Sequence, residues 1–419
     1  MYIIKNAEQV VTCSGFNAKK GKEMSELHII NNGAVVIEND KIIDLGNSED
    51  ILNKYSEKKY EIIDAKNKIV LPGFVDSHTH FVFGGYREDE FNWRLKGMPY
   101  MEIMKKGGGI LRSVTATRNA SEDELYSNAL KRLDNMIRLG ITTVEGKSGY
   151  GLDKDTELKQ LKVMKKLNEN HPVEIISTFM GAHAVLAEYK GKEDEFIDFM
   201  IKEVLPEVKK ENLAEFCDIF CEEGVFSVET SKKMLSAAKE VGLKLKIHAD
   251  EIVQLGGAEL AAQLNAVSAD HLLQASDEGI KQMAENNVVA TLLPGTAFSL
   301  KEDYAKARYM IDNNCAVALA TDLNPGSCFS QSIPLIISLA ALNMKMTTEE
   351  IITALTINGA AAVDKAQEIG SIDKGKKADI IIIDAPSYEF LTYHFGMNLV
   401  ETVIKNGKLV FKREDIKYV

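Results

Sequence analysis

The chain has 419 residues, 45% hydrophobic and 27% charged: a globular composition, too long for one ordinary core, so a large domain plus a smaller one is expected. A net charge of -12 with a pI near 5.3 argues against a basic face for nucleic acid, while leaving room for a local arginine that grips a small anion. Five sparse cysteines (Cys13, Cys217, Cys221, Cys315, Cys328) make no disulfide framework, and neither a secretory leader nor a bilayer-length apolar run is visible, so a cytoplasmic protein without a membrane partner is expected.

Residues 1–70 read as short strands separated by turn residues, with hairpin signals at Asn31-Asn32-Gly33 and Glu38-Asn39-Asp40. The far end has the same character: ADIIIIDAP, then TVIKNGKLVF with a second Asn-Gly turn at Asn406-Gly407. Both ends, 1–70 plus 365–419, are therefore expected to build one small β domain around a main domain at 71–364.

That middle alternates strand and helix. Pro72 and Gly73 break the chain before VDSHTH, the first strand. Ser121-x-x-Glu124 is a capping box opening an amphipathic run (Leu125, Ala129, Leu133, Met136, Ile137) that closes at Gly140. ITTVE follows, then VEIISTF, FCDIFCEE, LKLKIHA, AVSADHL, VVATLLP and AVALATD, with helical patterns between most of them, such as Ser231 to Val241 before Gly242. Eight short apolar strands at helix-sized intervals predict a parallel (β/α)8 barrel of the TIM type, whose chemistry sits at the strands' C-terminal ends. An open doubly wound sheet is the alternative, but no Gly-x-Gly-x-x-Gly follows the first strand.

Residues two apart on a strand share a side, so His78 and His80 aim at one point beyond the first strand. The fifth strand ends in His248 with Glu251 just beyond, the sixth carries His271, and the eighth ends in Asp322. Four of the eight histidines thus fall on the catalytic face, which scattered core histidines would not do. His78, His80, His248 and Asp322 are the natural ligands of one metal ion, three imidazoles and a carboxylate leaving a position open for water. Such a metal lowers the pKa of its water toward about 7, making a hydroxide nucleophile. Asp322 also reads as a helix N-cap, with Asn324-Pro325-Gly326 behind it; its strand-end place favours the ligand role. Cys217 and Cys221 read as packing. Arg87 suits bidentate carboxylate recognition, and equally a surface pair with Glu88 or Glu90.

His-x-His after the first strand, His on the fifth and sixth and Asp on the eighth resemble the amidohydrolase superfamily, whose members carry a composite β-sandwich domain. The local motifs LPGFVDSHTHFVFGGYREDEF, GGGI at Gly107 to Ile110, SGYGL at Ser148 to Leu152, GAHA around His183, HADE from His248 and TDLNPGS from Thr321 together resemble the imidazolonepropionase family within it. The resemblance covers essentially the whole chain. It implies ring-opening hydrolysis of 4-imidazolone-5-propionate to N-formimino-L-glutamate, with one Zn²⁺ or iron per chain. Some members of the superfamily bridge two metals with a carboxylated Lys on the fourth strand; the fourth strand here has no Lys, so the resemblance implies a single metal, with Glu222 or Glu223 as the substitute bridge. By the same resemblance Glu251 contacts the substrate ring and moves protons, with Asp322 the rival base, and His271 polarises the scissile carbonyl. Arg87 grips the propionate, and Tyr150, His183 and Ser327 complete the pocket, with Asn324 and Gly326 offering amide contacts. A homodimer is also implied. Other superfamily activities remain open: deamination of a nucleobase or triazine, opening of a hydantoin or dihydropyrimidine ring, or a non-catalytic scaffold that has lost its metal.

Overall fold

The computed structural model describes residues 1–57, 59–98, 102–103 and 106–414; residues 415–419, the end of the 365–419 segment, lie outside the described residues. Eight parallel strands stand side by side in chain order: Phe74–Asp76, Ile141–Lys147, Glu174–Ala182, Phe216–Cys221, Lys244–Ala249, Ser268–His271, Val289–Leu292 and Val317–Leu319. These are the eight expected from the sequence. Their side chains are almost all buried, because helices such as Lys154–Asn170, Val228–Glu240 and Asp277–Glu285 cover the outer face.

The ring closes beyond the strand ends, where the Asp322 N–H donates to the His78 carbonyl (3.0 Å) and the His80 N–H to the Leu323 carbonyl (2.9 Å). Asp76, fully buried at the end of the first strand, reinforces the seam by accepting from the Thr321 amide (2.9 Å) and hydroxyl (2.6 Å). Local signals start the helices as read: Ser121 and Glu124 form the reciprocal cap of Glu122–Arg138. The helix expected from Ser231 begins earlier, at Val228, because the Ser227 hydroxyl accepts from the Thr230 N–H.

Both ends of the chain supply a second sheet of eight strands, running from Lys408–Lys412 through Val400–Lys405, Ile380–Ile383, Ile69–Pro72, Tyr2–Val11 and Ile29–Glu38 to Lys41–Asn47, with Glu61–Asp64 beside the first of the N-terminal strands. Its inner side chains, among them Ile4, Val35, Val70, Ile380 and Ile404, form their own apolar cluster. Asn39-Asp40 and Asn406-Gly407 are the expected hairpin turns. Asn31-Asn32-Gly33 is not a turn. It lies inside the continuous strand Ile29–Glu38, where Asn31 and Gly33 pair in one register with Gln9 and Ala7 on either side of the positive-φ Asn32; the bulge is on the first strand, where Lys5 and positive-φ Asn6 stand opposite Ala34. The Gly73 N–H donates to the Asp379 carbonyl, and buried Lys405 bridges Asp379 (2.6 Å) to Glu174 at the base of the third barrel strand (3.0 Å), fastening sheet to barrel.

Candidate active site

Five imidazoles converge at the barrel mouth. Ring centroids are 5.5 Å apart for His78 and His80, 4.5 Å for His78 and His248, 5.0 Å for His248 and His271, and 4.8 Å for His80 and His183, the last pair stacked. Donor atoms of His78, His80 and Asp322 all lie within 4.8 Å of one another, as do those of His78, His248 and His271, and of His80, His183 and His248. Asp322 and His271 reach this point from left-handed backbone (φ 52° and 76°), a strained turn that aims each side chain across the mouth.

The donor set fits a metal ion. Burial, then the Lys147 charge and neighbouring imidazoles, holds His78 and His248 well below the usual imidazole pKa; burial likewise depresses His80. All three are neutral, the ligand form. The Nε2 atoms of His78 and His248 are buried without a hydrogen-bond partner, and His78 Nε2 stands 3.5 Å from Asp322 Oδ1, too long for a good hydrogen bond. Lone pairs that satisfy no donor yet face one point suit a cation. Burial also pushes the Asp322 carboxyl up to about 7 against the hydrogen bonds from Thr296 and Asn324, so a bare anion there is costly and a cation partner is favoured.

The opposite ring nitrogens are fixed. His78 Nδ1 meets Asp270 Oδ2 at 2.7 Å and His248 Nδ1 meets Asp218 Oδ2 at 3.0 Å, which holds each ring's protonated nitrogen away from the centre. One ammonium joins both carboxylates: Lys147 Nζ lies 2.7 Å from Asp218, 3.3 Å from Asp270 and 2.9 Å from Glu145. Lys246 adds a contact to the other Glu145 oxygen at 2.6 Å. All five groups are fully buried. Burial alone would lower the Lys147 pKa, but the three carboxylates overcome it and keep the ammonium charged.

Above the cluster opens a cavity of about 790 Å³. Tyr150 and His183 form one wall, their rings 5.3 Å apart. Glu251 and His271 form another, with His271 Nδ1 3.5 Å from Glu251 Oε1. Burial first, then the Asp322, Glu222 and Glu302 charges, raises Glu251 to about 8; burial lowers His271 and His183 to about 4. Arg87 and Arg94 also line the cavity, both next to Gly326.

The sequence profile of the amidohydrolase family matches residues 69–410. This chain belongs to the amidohydrolase family. It is 64% identical over 411 residues to an imidazolonepropionase of Clostridium tetani (98% of each chain), and 60% identical over 407 residues to one of Parabacteroides distasonis (97% of this chain, 98% of that one). Among solved structures, a triazine hydrolase variant superposes with a TM-score of 0.72 at 15% identity, covering 98% of this chain and 94% of that one. An adenosine deaminase of Xanthomonas campestris with bound zinc gives 0.69 at 18% identity, covering 100% and 94%. At such identities these two show the shared fold.

The amidohydrolase barrel brings every residue expected to hold metal or substrate or to act in catalysis to one mouth or its rim. Arg87 lines the cavity and gives its Nε and Nη2 to Glu90; the pair expected with Glu88 or Glu90 is thus with Glu90, though largely buried and not on the surface. Asn324 is turned inward, its Oδ1 accepting from the Gly326 and Ser327 amides (both 2.8 Å) and its Nδ2 donating to Ser327 Oγ, so it shapes the loop that presents them. Glu222 spends its oxygens on the Glu223, Ile252 and Val253 amides, Glu223 is exposed, and neither joins a donor cluster; Cys217 and Cys221 lie in the apolar core. Sequence reasoning passed over Asp218, Asp270 and Lys147, and also Thr296, whose hydroxyl donates to Asp322 Oδ2. It also passed over Glu157, buried, which accepts from the Gly149, Gly151 and Leu152 amides and so folds the loop carrying Tyr150. A signal existed for the first three: ionisable residues inside otherwise apolar barrel strands.

Proposed function

We propose that the chain hydrolyses the ring amide of 4-imidazolone-5-propionate to N-formimino-L-glutamate, the activity for which its relatives are named. The make-up of the cavity carries this reading: neutral imidazoles and one carboxylate converge on one point, and two guanidinium groups line the same cavity. His78, His80, His248 and Asp322 would hold one zinc or iron ion, by donor type. The metal supplies polarisation of a carbonyl and acidification of a water to near neutrality. Arg87 holds the propionate tail, while Tyr150 and His183 flank the ring. His271, kept neutral by burial, donates a ring N–H to the carbonyl oxygen as negative charge gathers there. Glu251 accepts the proton of the attacking water and returns it to the ring nitrogen as the C–N bond breaks, leaving a new carboxylate on the product.

We read residues 1–70 with 365–419 as the supporting β domain, 71–364 as the catalytic one, and the working protein as a cytoplasmic homodimer. Among the described residues no helix is long and apolar enough to cross a membrane. The test is loss of imidazolone absorbance, followed before and after chelation and after refilling with zinc or iron. Activity that vanishes and returns is expected, with Arg87→Ala raising KM steeply. A metal-loaded enzyme that leaves the absorbance unchanged would overturn the assignment.

A further inference from the structure

Arg87, Glu90 and Arg94 occupy one face of the helix Glu88–Leu95 and its N-cap, at the spacing of successive turns, and all three line the cavity. Their partners differ sharply. Arg87 gives Nε (3.0 Å) and Nη2 to the two oxygens of Glu90. Glu90 is filled further by the Gly109 N–H at 2.9 Å. Arg94 has no such partner. Among the described residues no carboxylate pairs with it, its Nε is buried without a hydrogen bond, and its Nη2 reaches only the Gly326 carbonyl at 3.5 Å. A guanidinium stays charged, and leaving it half-buried with an unmet N–H is costly until an anion arrives. Of the acidic groups that line this cavity, Glu90 is the one whose charge reaches Arg94, and its oxygens are already taken by Arg87 and the Gly109 amide.

We infer that Arg94 is a second carboxylate-binding arginine of this pocket, and the one whose donors are held free for the ligand. Arg87, with one edge committed to Glu90, is a rigid post that presents its remaining Nη1 beside Gly326. Arg94 closes on the carboxylate from the other side. Together they set which end of the ligand faces the imidazole cluster, so a ring bearing a carboxylate tail enters in one orientation. This rests on the reading that the substrate carries such a carboxylate.

The test pairs acid with amide. Arg94→Met is expected to raise KM for 4-imidazolone-5-propionate about 10- to 100-fold, with kcat within about threefold, as befits loss of a charge-assisted contact made throughout the reaction. Turnover of the corresponding propionamide should be unaffected, and Arg94→Lys should recover part of the loss because it keeps the charge without the planar fork. Equilibrium binding of 3-(imidazol-4-yl)propionate and its amide gives the same comparison without turnover, with only the acid expected to weaken. An unchanged KM and Kd for the acids would overturn the inference, and so would equal losses for acid and amide. Wild-type enzyme inert toward the imidazolone would sink the proposed reaction alone, since the binding comparison would still report on Arg94.

Discussion

Replacing Lys147 by Met tests whether the barrel interior works as one electrostatic unit. Two ammonium groups, Lys147 and Lys246, face three carboxylates, Glu145, Asp218 and Asp270, none with measurable exposure. Removing Lys147 leaves Lys246 alone against all three, and Lys246 lies 3.9 Å from Asp270 and bonds only Glu145 and the Ser77 carbonyl. Among the described residues Asp218 then has no ion-pair partner, and only the more distant Lys246 charge still acts on it. Breaking a buried pair on one side costs about 3–5 kcal/mol, because the desolvation of the surviving charge is no longer offset. Lys147→Met combined with Asp218→Asn removes charge from both sides, and the new amide oxygen can still accept from the His248 and Ile219 N–H groups, so about half of the loss should return. Metal binding should behave otherwise, since in the double variant His248 loses its carboxylate and zinc affinity should fall about 10- to 100-fold. Urea unfolding of the chelated proteins reads the first quantity, and chelator competition for zinc reads the second. A single variant within about 1 kcal/mol of wild type, or a double variant no more stable than the single, would refute the reasoning.

Glu251 acting as a base must be ionised, and burial beside Asp322 raises it to about 8, so kcat/KM should climb with pH through that region and flatten above it. Glu251→Gln should lower kcat by about 10²- to 10⁴-fold and erase the limb; a limb that persists unmoved would assign it to another group. Gly326→Ala would place a Cβ 2.3 Å from Arg87 Nη1, forcing the guanidinium aside. KM for the carboxylate substrate should rise about tenfold with thermal stability little changed, by the scale of one lost charge-assisted hydrogen bond. An unchanged KM would show that Arg87 Nη1 does not meet the substrate.

Much of the site was legible because it depends on local rules. Each barrel strand is a short apolar run, and residues at its C-terminal end must face the mouth, so His78, His80, His248, His271 and Asp322 could be gathered from their places in the runs. What stayed hidden depends on contacts across strands. Lys147 reads as the polar end of ITTVEGK until neighbouring strands set Asp218 and Asp270 against it, and no spacing in the sequence announces that meeting. Arg94 looks like an ordinary helix-surface charge; only the helix's place over the cavity turns it inward. Asn31-Asn32-Gly33 failed for a related reason. Asn32 does take a positive φ, yet a long antiparallel partner carries the strand straight through it, with Asn31 and Gly33 still paired in register.

The seam between first and last strands ties folding to chemistry. The hydrogen bonds that close the barrel run through the backbone of His78, His80 and Asp322, so three of the four proposed ligands take their relative positions from closure itself. The fourth, His248, is held from the opposite side of the ring by Asp218, which Lys147 links to Asp270 and hence to His78. Any loosening of the ring therefore moves the ligands with it, and the cost of assembling the donor cluster is met when the domain folds. A site built this way is preorganised before metal or substrate arrives, which is what a charge-stabilising reaction at one carbonyl requires.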